Sequence, residues 1–344
     1  MKILFDHQIF SSQTIGGISR YHVEIAKRID AQWDIPLFFS NNLYLKELRK
    51  TLPFFPNRKF KGKNRLLERI NRLQTVSLLK KGDFDVFHPT FYGTYSLRYL
   101  KNHPLVFTLH DMIHDRYPEL PAAFWEKKEK RRMAKNAAAI IVPSRFTADE
   151  LMALYQIPAG KIHVVHHGGP GWRLERKNVV PHQFLFVGGR NFYKNFFLVL
   201  QAMTKVPEST LLAAGAPFDP REQALISQLG LSNRVRTIYA SEEELPQLYA
   251  SSAAFIFPSL MEGFGLPVLE AFAAGCPALL ADIPVFREIA GDTALYFDPG
   301  SPVALSQAMQ VLMTQKNDFD FQKQLAHFSW EKCAAETLEV YKTV

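Results

Sequence analysis

Short apolar runs and amphipathic segments alternate along almost the whole chain. Five runs of strand length lie in the first half, at residues 2–6, 85–89, 105–111, 138–144 and 163–168. Five more follow, at 184–189, 210–215, 235–240, 253–259 and 277–282. Runs bounded by Gly, Pro or Asp are typical of strands that are buried on both faces of a parallel sheet. Their alternation with helical segments predicts two doubly wound α/β domains.

Interruptions of this pattern indicate the domain boundaries. Glycine, proline and charged residues break it at 168–183, so one domain is expected to span residues 1–170 and a second residues 171–328. Residues 329–344 have helical spacing behind Ser329, a residue type that favours the helix N-cap. We therefore expect a separate C-terminal helix over 329–344.

Composition narrows the class of protein without naming a function. The chain is 47% hydrophobic and 22% charged, which is typical of a globular protein with large cores. Cys276 and Cys333 have no metal-ligand spacing, so neither a disulfide framework nor a metal site is expected from them. The N-terminus lacks a signal-peptide pattern, and no run of about 18 apolar residues could cross a bilayer. The expected location is the cytoplasm.

The stretch 257–277, FPSLMEGFGLPVLEAFAAGCP, predicts a strand, a glycine loop and a helix. Pro267 suits the first turn of a helix and Gly275 suits its end. A glycine loop before a helix N-terminus is a site where backbone N–H groups can hold an anion or a polar ligand. Glu262 and Glu270 would then face the crevice beyond the strand ends. On its own, the stretch also fits an ordinary strand–helix connection with two solvated glutamates.

The stretch 184–203 places two cations after another predicted strand. Gly188 and Gly189 are followed by Arg190 and Lys194 before a helical run. Such cations could neutralise an anionic ligand or leaving group. A solvated helix start explains the same residues when they are considered alone.

The spacing Glu262-x7-Glu270 within PSLMEGFGLPVLEAFAAGCP closely resembles the signature of family-4 retaining glycosyltransferases. The resemblance implies that Glu270 binds the ribose of the donor nucleotide and that Glu262 contacts the transferred sugar. It further implies that the backbone of residues 264–266 cradles sugar and phosphate. These three residues are Phe264, Gly265 and Leu266. By the same resemblance, Gly189, Arg190 and Lys194 bind the donor, and the two cations contact its diphosphate.

Other segments resemble the same family. QTIGGISRY resembles its glycine loop over the donor phosphates, and TLHDMIHD resembles the segment whose histidine lies beside the donor sugar. Residues 136–151 resemble the strand that ends the first sheet, and 239–259 resemble the segment that holds the nucleotide base. The residues that this resemblance assigns are Gly16, Gly17, His110, Asp111, Ser144, Arg145, Tyr239 and Ala240. Only the first three and Tyr239 are expected to contact the donor or the reacting sugar; the others are candidates for lining the site.

Most of the excess positive charge lies in the first half of the chain. Residues 46–81 contain twelve Lys or Arg, interleaved with apolar residues at helical spacing. This pattern suits an anionic membrane surface or a lipid-linked acceptor. A solvated helix face and a nucleic-acid surface are the alternatives. We favour the membrane surface, which would make the protein peripheral on the inner face of the membrane, and expect no nucleic-acid partner.

The resemblance implies a GT-B architecture of two facing Rossmann-like domains, with the acceptor site on the first domain and the nucleotide-sugar site on the second. It also implies a C-terminal helix that crosses back to the first domain. It implies a retaining transferase that moves a hexose from a nucleotide diphosphate-sugar to a glycan or lipid-linked glycan. GGISRY and TLHDMIHDRYPEL look most like mannosyltransferases of polysaccharide assembly, which favours a GDP-sugar donor. Asp83-x-Asp85 would lie at the N-terminal end of a strand, away from the crevice. We therefore expect neither a metal nor another cofactor.

Two other functions remain open at this stage. A sugar-nucleotide epimerase of the same fold would need acid or base residues at the anomeric centre, which the sequence does not identify. A non-catalytic basic protein that binds nucleic acid would explain the charge. It would not explain why Glu262, Glu270, Arg190 and Lys194 occur together.

Overall fold

The protein consists of two compact units. In the computed structural model, the described residues are 1–48, 62–315 and 318–344, without the side chain of residue 64. One unit comprises Met1–Gly168 together with Ser329–Val344, and the other comprises Gly169–Phe328. The sequence places the first boundary two residues later, after residue 170, and the second at the same position. Of the basic segment 46–81, residues 49–61 lie outside the described residues.

The described residues of the first unit form six parallel strands. They are β1 (Lys2–Phe5), β2 (Gln32–Asp34), β3 (Val86–His88), β4 (Val106–Thr108), β5 (Ala139–Val142) and β6 (Ile162–Val164). They form the groups β2-β1-β3 and β4-β5-β6, and a parallel bridge between Phe87 and Leu105 links the two groups. The chain moves outward from β1 to β2 and then returns to the other side of β1 as β3. The strand order therefore reverses between β1 and β3.

Helices connect these strands. They are α1 (Gln8–Ser12), α2 (Gly17–Arg28), α3 (Leu45–Leu48), α4 (Lys63–Lys81), α5 (Ile113–Arg116), α6 (Ala123–Asn136) and α7 (Arg145–Tyr155). A 3-10 helix spans Thr94–Tyr99. The helix α4 ends where Gly82 adopts φ +73°, a left-handed conformation that glycine adopts without steric cost.

The C-terminal helix α15 (Trp330–Lys342) belongs to the first unit. It starts as its sequence predicts, because the Ser329 hydroxyl accepts a hydrogen bond from the Lys332 N–H at 3.1 Å. The Tyr341 hydroxyl lies 2.5 Å from Nδ1 of His88. A Cβ at Gly168 would lie 2.3 Å from the Trp330 nitrogen, so the chain passes too close to α15 for a side chain at that position.

The second unit contains one parallel sheet with the order β12-β11-β10-β7-β8-β9. Its strands are β7 (Val180–Val187), β8 (Thr210–Ala214), β9 (Val235–Ile238), β10 (Ser252–Phe257), β11 (Ala278–Ala281) and β12 (Leu295–Phe297). The order reverses between β7 and β10, which pair directly, with Ala254 opposite Phe184 and Phe255 opposite Leu185. Its helices are α8 (Phe196–Met203), α9 (Pro220–Gln228), α10 (Leu245–Ser251), α11 (Leu266–Ala273), α12 (Pro284–Ala290), α13 (Pro302–Thr314) and α14 (Phe321–Leu325).

The predicted α/β class is confirmed, since every predicted apolar run overlaps a parallel strand. β2 and β12 were not predicted. Both are three-residue strands at the edge of a sheet, so they lack the long apolar run of a strand buried on both faces. Among the described helices, none combines the length and apolar character needed to cross a bilayer.

Candidate active site

The candidate donor site lies where the strand order of the second sheet reverses. In open α/β sheets, ligands bind beyond the carboxyl ends of the strands at such a reversal. The loop after β7 begins at Gly188, whose φ of +111° lies in the glycine-favouring region, and leads into a 3-10 helix at Phe192–Lys194. The loop after the neighbouring β10 contains Glu262. Residues far apart in sequence thus meet at one edge of the sheet.

Lys194 and Glu262 form the central ion pair of this site. The Lys194 ammonium lies 2.5 Å from Oε1 of Glu262, and the two side chains are 19% and 12% exposed. The ammonium also lies 5.3 Å from the ring centroids of Tyr193 and Phe257. A cation and a carboxylate are therefore held together in a largely water-excluded position. The pair can offer a positive charge to a phosphate and a carboxylate to sugar hydroxyls.

Arg190 is held differently from Lys194. Its guanidinium donates to both carboxylate oxygens of Glu222, at 2.6 and 3.0 Å, and to the Pro217 carbonyl at 2.8 Å. The side chains of Arg190 and Glu222 are only 8% and 7% exposed. Glu222 also completes the capping box of α9 with Asp219. Arg190 thus braces the loop after β7 against α9, and its contact with a diphosphate stays a prediction.

The loop before α11 has the shape that its sequence predicts. Gly265 precedes the helix with φ +124°, and Pro267 lies in the first turn. The Phe264 side chain is buried, with its ring centroid 5.8 Å from that of Phe328. The Phe264 side chain is therefore directed into the core, so at this residue only the backbone is suited to meet a ligand. The end of α11 is marked by Gly275, at φ +67°.

Glu270 lies on α11 and contacts Tyr249 of α10. The Tyr249 hydroxyl donates to Oε2 of Glu270 at 3.4 Å, and burial next to that carboxylate raises the pKa of the phenol. α10 also borders a cavity of about 300 Å³. The cavity is lined by Ile238, Tyr239, Ala240, Glu243, Glu244, Gln247 and Leu248. Tyr239 and Ala240, the two residues predicted to hold the nucleotide base, thus line this cavity. The cavity lies beside α10, the helix whose Tyr249 contacts Glu270, the residue predicted to bind the ribose.

His110 belongs to a buried aromatic cluster in the first unit. Its ring centroid lies 5.2 Å from that of Tyr21 and 5.7 Å from that of His167. Burial lowers the pKa of His110 to about 4. The imidazole is therefore neutral at physiological pH and can act as a hydrogen-bond partner but not as a fixed cation. His22 and His88 belong to the same cluster, which the sequence analysis did not identify.

Lys130 holds the segment that follows His110. Its fully buried ammonium lies 2.9 Å from the Asp111 carbonyl and 2.7 Å from Oε1 of Glu126. It also lies 4.9 Å from the centre of the Tyr92 ring, whose hydroxyl accepts the His110 N–H at 3.1 Å. Burial alone would raise the pKa of Asp111, but the ammonium outweighs it and lowers that pKa. Lys130 was missed because its signal, a lysine four residues after a glutamate, also describes an ordinary solvated helix face.

The position of the Lys130 ammonium is relevant to the prediction that the protein needs no metal. Asp111, His114 and Glu126 offer ligand atoms that lie within 4.8 Å of one another, a geometry that could hold a metal ion. Lys130 approaches two of the three ligand residues, so the cluster already contains a positive charge. Asp83 and Asp85 lie before β3 and bind Lys2, away from the carboxyl ends of the strands.

The remaining predicted residues start helices. Gly16 precedes α2 and Gly17 is its first residue; a Cβ at Gly16 would lie 2.4 Å from the flexible side chain of Gln13. The Ser144 hydroxyl is buried and accepts the Thr147 N–H at 3.1 Å, which caps α7. Arg145 is the exposed first residue of α7. The cap gives Ser144 a structural role, and its predicted role in lining the site stays a prediction.

Comparisons with known proteins identify relatives of both units. A family model of glycosyl transferases group 1 matches residues 174–328, and a model of glycosyltransferase family 4 matches residues 15–168. The O-antigen chain mannosyltransferase B of Escherichia coli is 26% identical over 99% of this chain and 100% of its own length. The MMP α-(1→4)-mannosyltransferase of Mycolicibacterium hassiacum is 28% identical over 76% of this chain and 71% of its own.

Solved structures are similar over the full length of the chain. HepE of Anabaena, in complex with UDP, has a TM-score of 0.76 at 18% identity and covers 100% of both chains. The lipopolysaccharide outer core galactosyltransferase WaaB has a TM-score of 0.70 at 17% identity, covering 100% of this chain and 99% of its own. At these identities the likeness concerns the fold, which is GT-B. Because the two family models together match most of the sequence, the chain belongs to the family-4 glycosyltransferases with the GT-B fold.

Proposed function

We propose that this glycosyltransferase moves a mannosyl group from a GDP-sugar to a glycan or lipid-linked glycan, with retention of anomeric configuration and without a metal. The observation that carries the proposal is the Lys194–Glu262 pair at the reversal point of the second sheet. A nucleotide diphosphate-sugar has a negative diphosphate next to a ring of hydroxyls. The pair offers a complementary group to each of these parts.

The choice of sugar and base has separate support. Two relatives, which match 99% and 76% of this chain, bear the name mannosyltransferase, and the GGISRY and TLHDMIHDRYPEL segments resemble that group. HepE, which is similar in fold, is in complex with UDP. GDP and UDP must therefore be compared directly, and the cavity beside Tyr239 is where we expect the base to be distinguished.

The proposed reaction uses few protein groups. As the bond from the anomeric carbon to the diphosphate breaks, negative charge grows on the diphosphate, and the ammonium of Lys194 stabilises it. Glu262 holds hydroxyls of the transferred sugar, and neutral His110 hydrogen-bonds to that sugar or its acceptor. The leaving phosphate accepts the proton of the acceptor hydroxyl, which attacks from the same face. The positive charge at the Asp111–Glu126 cluster comes from Lys130, which is why we expect no metal there.

Nucleotide-sugar binding and product analysis test this proposal. A ligand that binds only the folded state raises the melting temperature, so GDP, UDP and their sugars should be compared by thermal shift. The product of the preferred donor is then examined by NMR, with and without EDTA. We expect a GDP-sugar to stabilise most and the α-configuration of the donor to persist. Inversion of the anomeric configuration would contradict the retaining mechanism, and loss of activity in EDTA would contradict metal independence. Preference for UDP would contradict the choice of a GDP-sugar donor.

Donor turnover without an acceptor would instead favour the epimerase. The two functions differ in what they consume, because an epimerase changes the donor sugar alone. Incubation of the preferred donor, first without and then with an oligosaccharide acceptor, separates them. We expect release of free nucleotide diphosphate to depend on the acceptor.

A further inference from the structure

The side chain of His110 carries a buried nitrogen without a partner. Its Nε2 is shielded from solvent and has no hydrogen-bond partner among the residues that the structure describes. Buried polar groups in folded proteins are nearly always paired, so such an atom suits a ligand that supplies the missing bond. In the proposed function that ligand is the transferred sugar or the acceptor. The strength of the bond then depends on how firmly the protein holds the ring.

Tyr92 holds the backbone of His110. The tyrosine lies in the loop after β3, and its hydroxyl accepts the His110 N–H at 3.1 Å. Its ring is fully buried beside the rings of Phe91 and Phe107, with centroid distances of 4.5 and 6.4 Å. A parallel bridge joins β3 to the segment that begins β4, the strand that precedes His110. The bond from Tyr92 therefore ties together the two segments that follow these neighbouring strands.

Lys130 holds the residue that follows His110. Its ammonium donates to the Asp111 carbonyl at 2.9 Å and lies 3.3 Å from Oδ1 of the same residue. That carboxylate oxygen also accepts the Ile113 N–H at 2.9 Å. The ammonium is 2.7 Å from Oε1 of Glu126, so its position is fixed from the side of α6 as well. Lys130 thus ties the chain after His110 to α6.

The two supports also contact each other. The Lys130 ammonium lies 4.9 Å from the centre of the Tyr92 ring, within the reach of about 6 Å over which a cation is attracted to an aromatic face. Tyr92 bonds the N–H of His110, and Lys130 bonds the carbonyl of Asp111. The backbone is therefore held on both sides of the peptide bond that joins these two residues.

The ring of His110 is packed as well as its backbone. Its centroid lies 5.2 Å from that of Tyr21, with the two rings edge to face, and 5.7 Å from that of His167. A ring enclosed in this way has little room to rotate on its own. A movement of the His110 backbone would therefore move the Nε2 atom too.

We propose that Tyr92 and Lys130 are positioning residues for His110, and that the rate of transfer depends on them through the place of its imidazole. The proposal rests on the proposed function, because it takes His110 as the group that meets the sugar or the acceptor. It goes beyond that function in assigning part of the rate to two residues that act through the histidine. A displacement of about 1 Å at a reacting centre can lower a rate about 10²-fold.

Tyr92→Phe tests this role, and Tyr155→Phe is its matched control. The first change removes the acceptor of the His110 N–H and keeps the ring. Tyr155 is also a buried tyrosine of the first unit, but its hydroxyl donates to Oδ1 of Asp115 at 2.6 Å. We expect Tyr92→Phe to lower kcat by about 10–100-fold with little change in either KM, because the loss falls on the transition state. Tyr155→Phe should keep the wild-type kcat even if it lowers the melting temperature as much.

A double variant shows whether the two residues act through one route. Lys130→Met removes the ammonium and keeps a side chain of similar length. If Tyr92 and Lys130 both act by placing His110, their effects on kcat should not multiply, and the double variant should be about as slow as the slower single variant. Effects that multiply would mean that the two residues act independently of each other.

Labelling with ¹⁵N-histidine follows His110 without any substrate. Its amide and ring signals, identified by their loss in His110→Gln, should move in Tyr92→Phe and stay in place in Tyr155→Phe. Unmoved signals, a Tyr92→Phe kcat that equals wild type, or an equal fall of kcat in Tyr155→Phe would overturn the positioning role. If the signals move as expected but wild-type protein transfers no sugar, the placement of His110 by Tyr92 stands and the proposed function fails.

Discussion

Removal of Lys194 should abolish most of the transfer activity, for a reason that can be separated from stability. The ammonium lies 2.5 Å from Glu262 in a site where both side chains are less than one-fifth exposed. Loss of one preorganised group that stabilises developing charge typically lowers kcat by about 10²–10³, or roughly 2.7–4 kcal/mol. We expect Lys194→Ala to show a loss of this size at saturating donor and acceptor.

The same substitution leaves the Glu262 carboxylate without its ammonium partner. Breaking a fully buried ion pair costs about 3–5 kcal/mol of stability, and the partial exposure of this pair reduces that figure. The double variant Lys194→Ala/Glu262→Gln removes the unpaired charge. It should therefore recover much of the lost stability while its transfer rate stays low.

Transfer rates and denaturation curves distinguish the loss of catalysis from the loss of stability. Transfer is measured at saturating substrates, and the free energy of unfolding is measured by urea denaturation for each variant. Lys205→Ala, a change of an exposed lysine in the same unit, serves as the control and should alter neither quantity. A double variant with wild-type rate, or a Lys194→Ala rate that falls only as far as the folded fraction does, would refute the proposed role.

Four further predictions concern other parts of the molecule. Glu270→Ala should weaken binding of the preferred nucleotide by about 1–3 kcal/mol through lost ribose hydrogen bonds; unchanged affinity by calorimetry would contradict this. Lys130→Ala should lower activity. An added divalent cation should restore part of this activity, because the ligand atoms of Asp111, His114 and Glu126 lie within 4.8 Å of one another and could bind the cation in place of the lysine ammonium. Equal activity of the variant with and without added cations would contradict this role of Lys130. Four cations of the basic segment should be replaced by Gln together: Lys59, Lys61, Lys63 and Arg65. Each cation contributes about 1 kcal/mol of binding near an anionic surface, so the variant should be released from anionic vesicles while its donor affinity is unchanged. Zwitterionic vesicles serve as the control. If wild-type protein does not bind anionic vesicles at low salt, the membrane surface is excluded as a partner. Finally, burial lowers the pKa of several histidines, among them His7 to about 4, His88 to about 3 and His110 to about 4. The unfolded chain binds these protons below about pH 6.5 and the folded chain does not. Stability should therefore be complete above pH 6.5 and fall toward pH 4 by about 1.4 kcal/mol per pH unit for each histidine; a free energy of unfolding that is constant between pH 7 and 5 would contradict their burial.

Apolar runs predicted the strands because burial on both faces leaves a continuous signal in the sequence. The helix over Gly17–Arg28 and the cap at Ser329 were also predictable, since both depend on neighbours within a few residues. β2 was missed because its residues, Gln32–Asp34, form a short and partly exposed edge strand. In such a strand, exposed polar positions replace the apolar run.

The contacts between residues of the candidate site were harder to predict from the sequence than the residues themselves. Lys194 and Glu262 could each be named from local motifs, but they are 68 residues apart, and only the pairing of β7 with β10 brings them together. The guanidinium of Arg190 is bonded to Glu222, a partner that the sequence analysis did not identify, and its contact with a diphosphate stays a prediction. The local sequence did not indicate that bond. Glu222 is the capping-box residue of α9, and this local role alone accounts for a glutamate at its position.

The Lys194–Glu262 pair also explains how one site can suit a ligand with two chemically different parts. An unpaired lysine in so enclosed a position would be costly, since burial of an isolated charge is strongly unfavourable. An unpaired glutamate would carry the same cost. Together they stabilise one another in the absence of a ligand. In the proposed function, the donor diphosphate would approach the ammonium while sugar hydroxyls donate to the carboxylate, so each partner would exchange one polar contact for another with little reorganisation. The ammonium would then already be in position when charge develops on the leaving group, which is where preorganised electrostatics contributes most to catalysis.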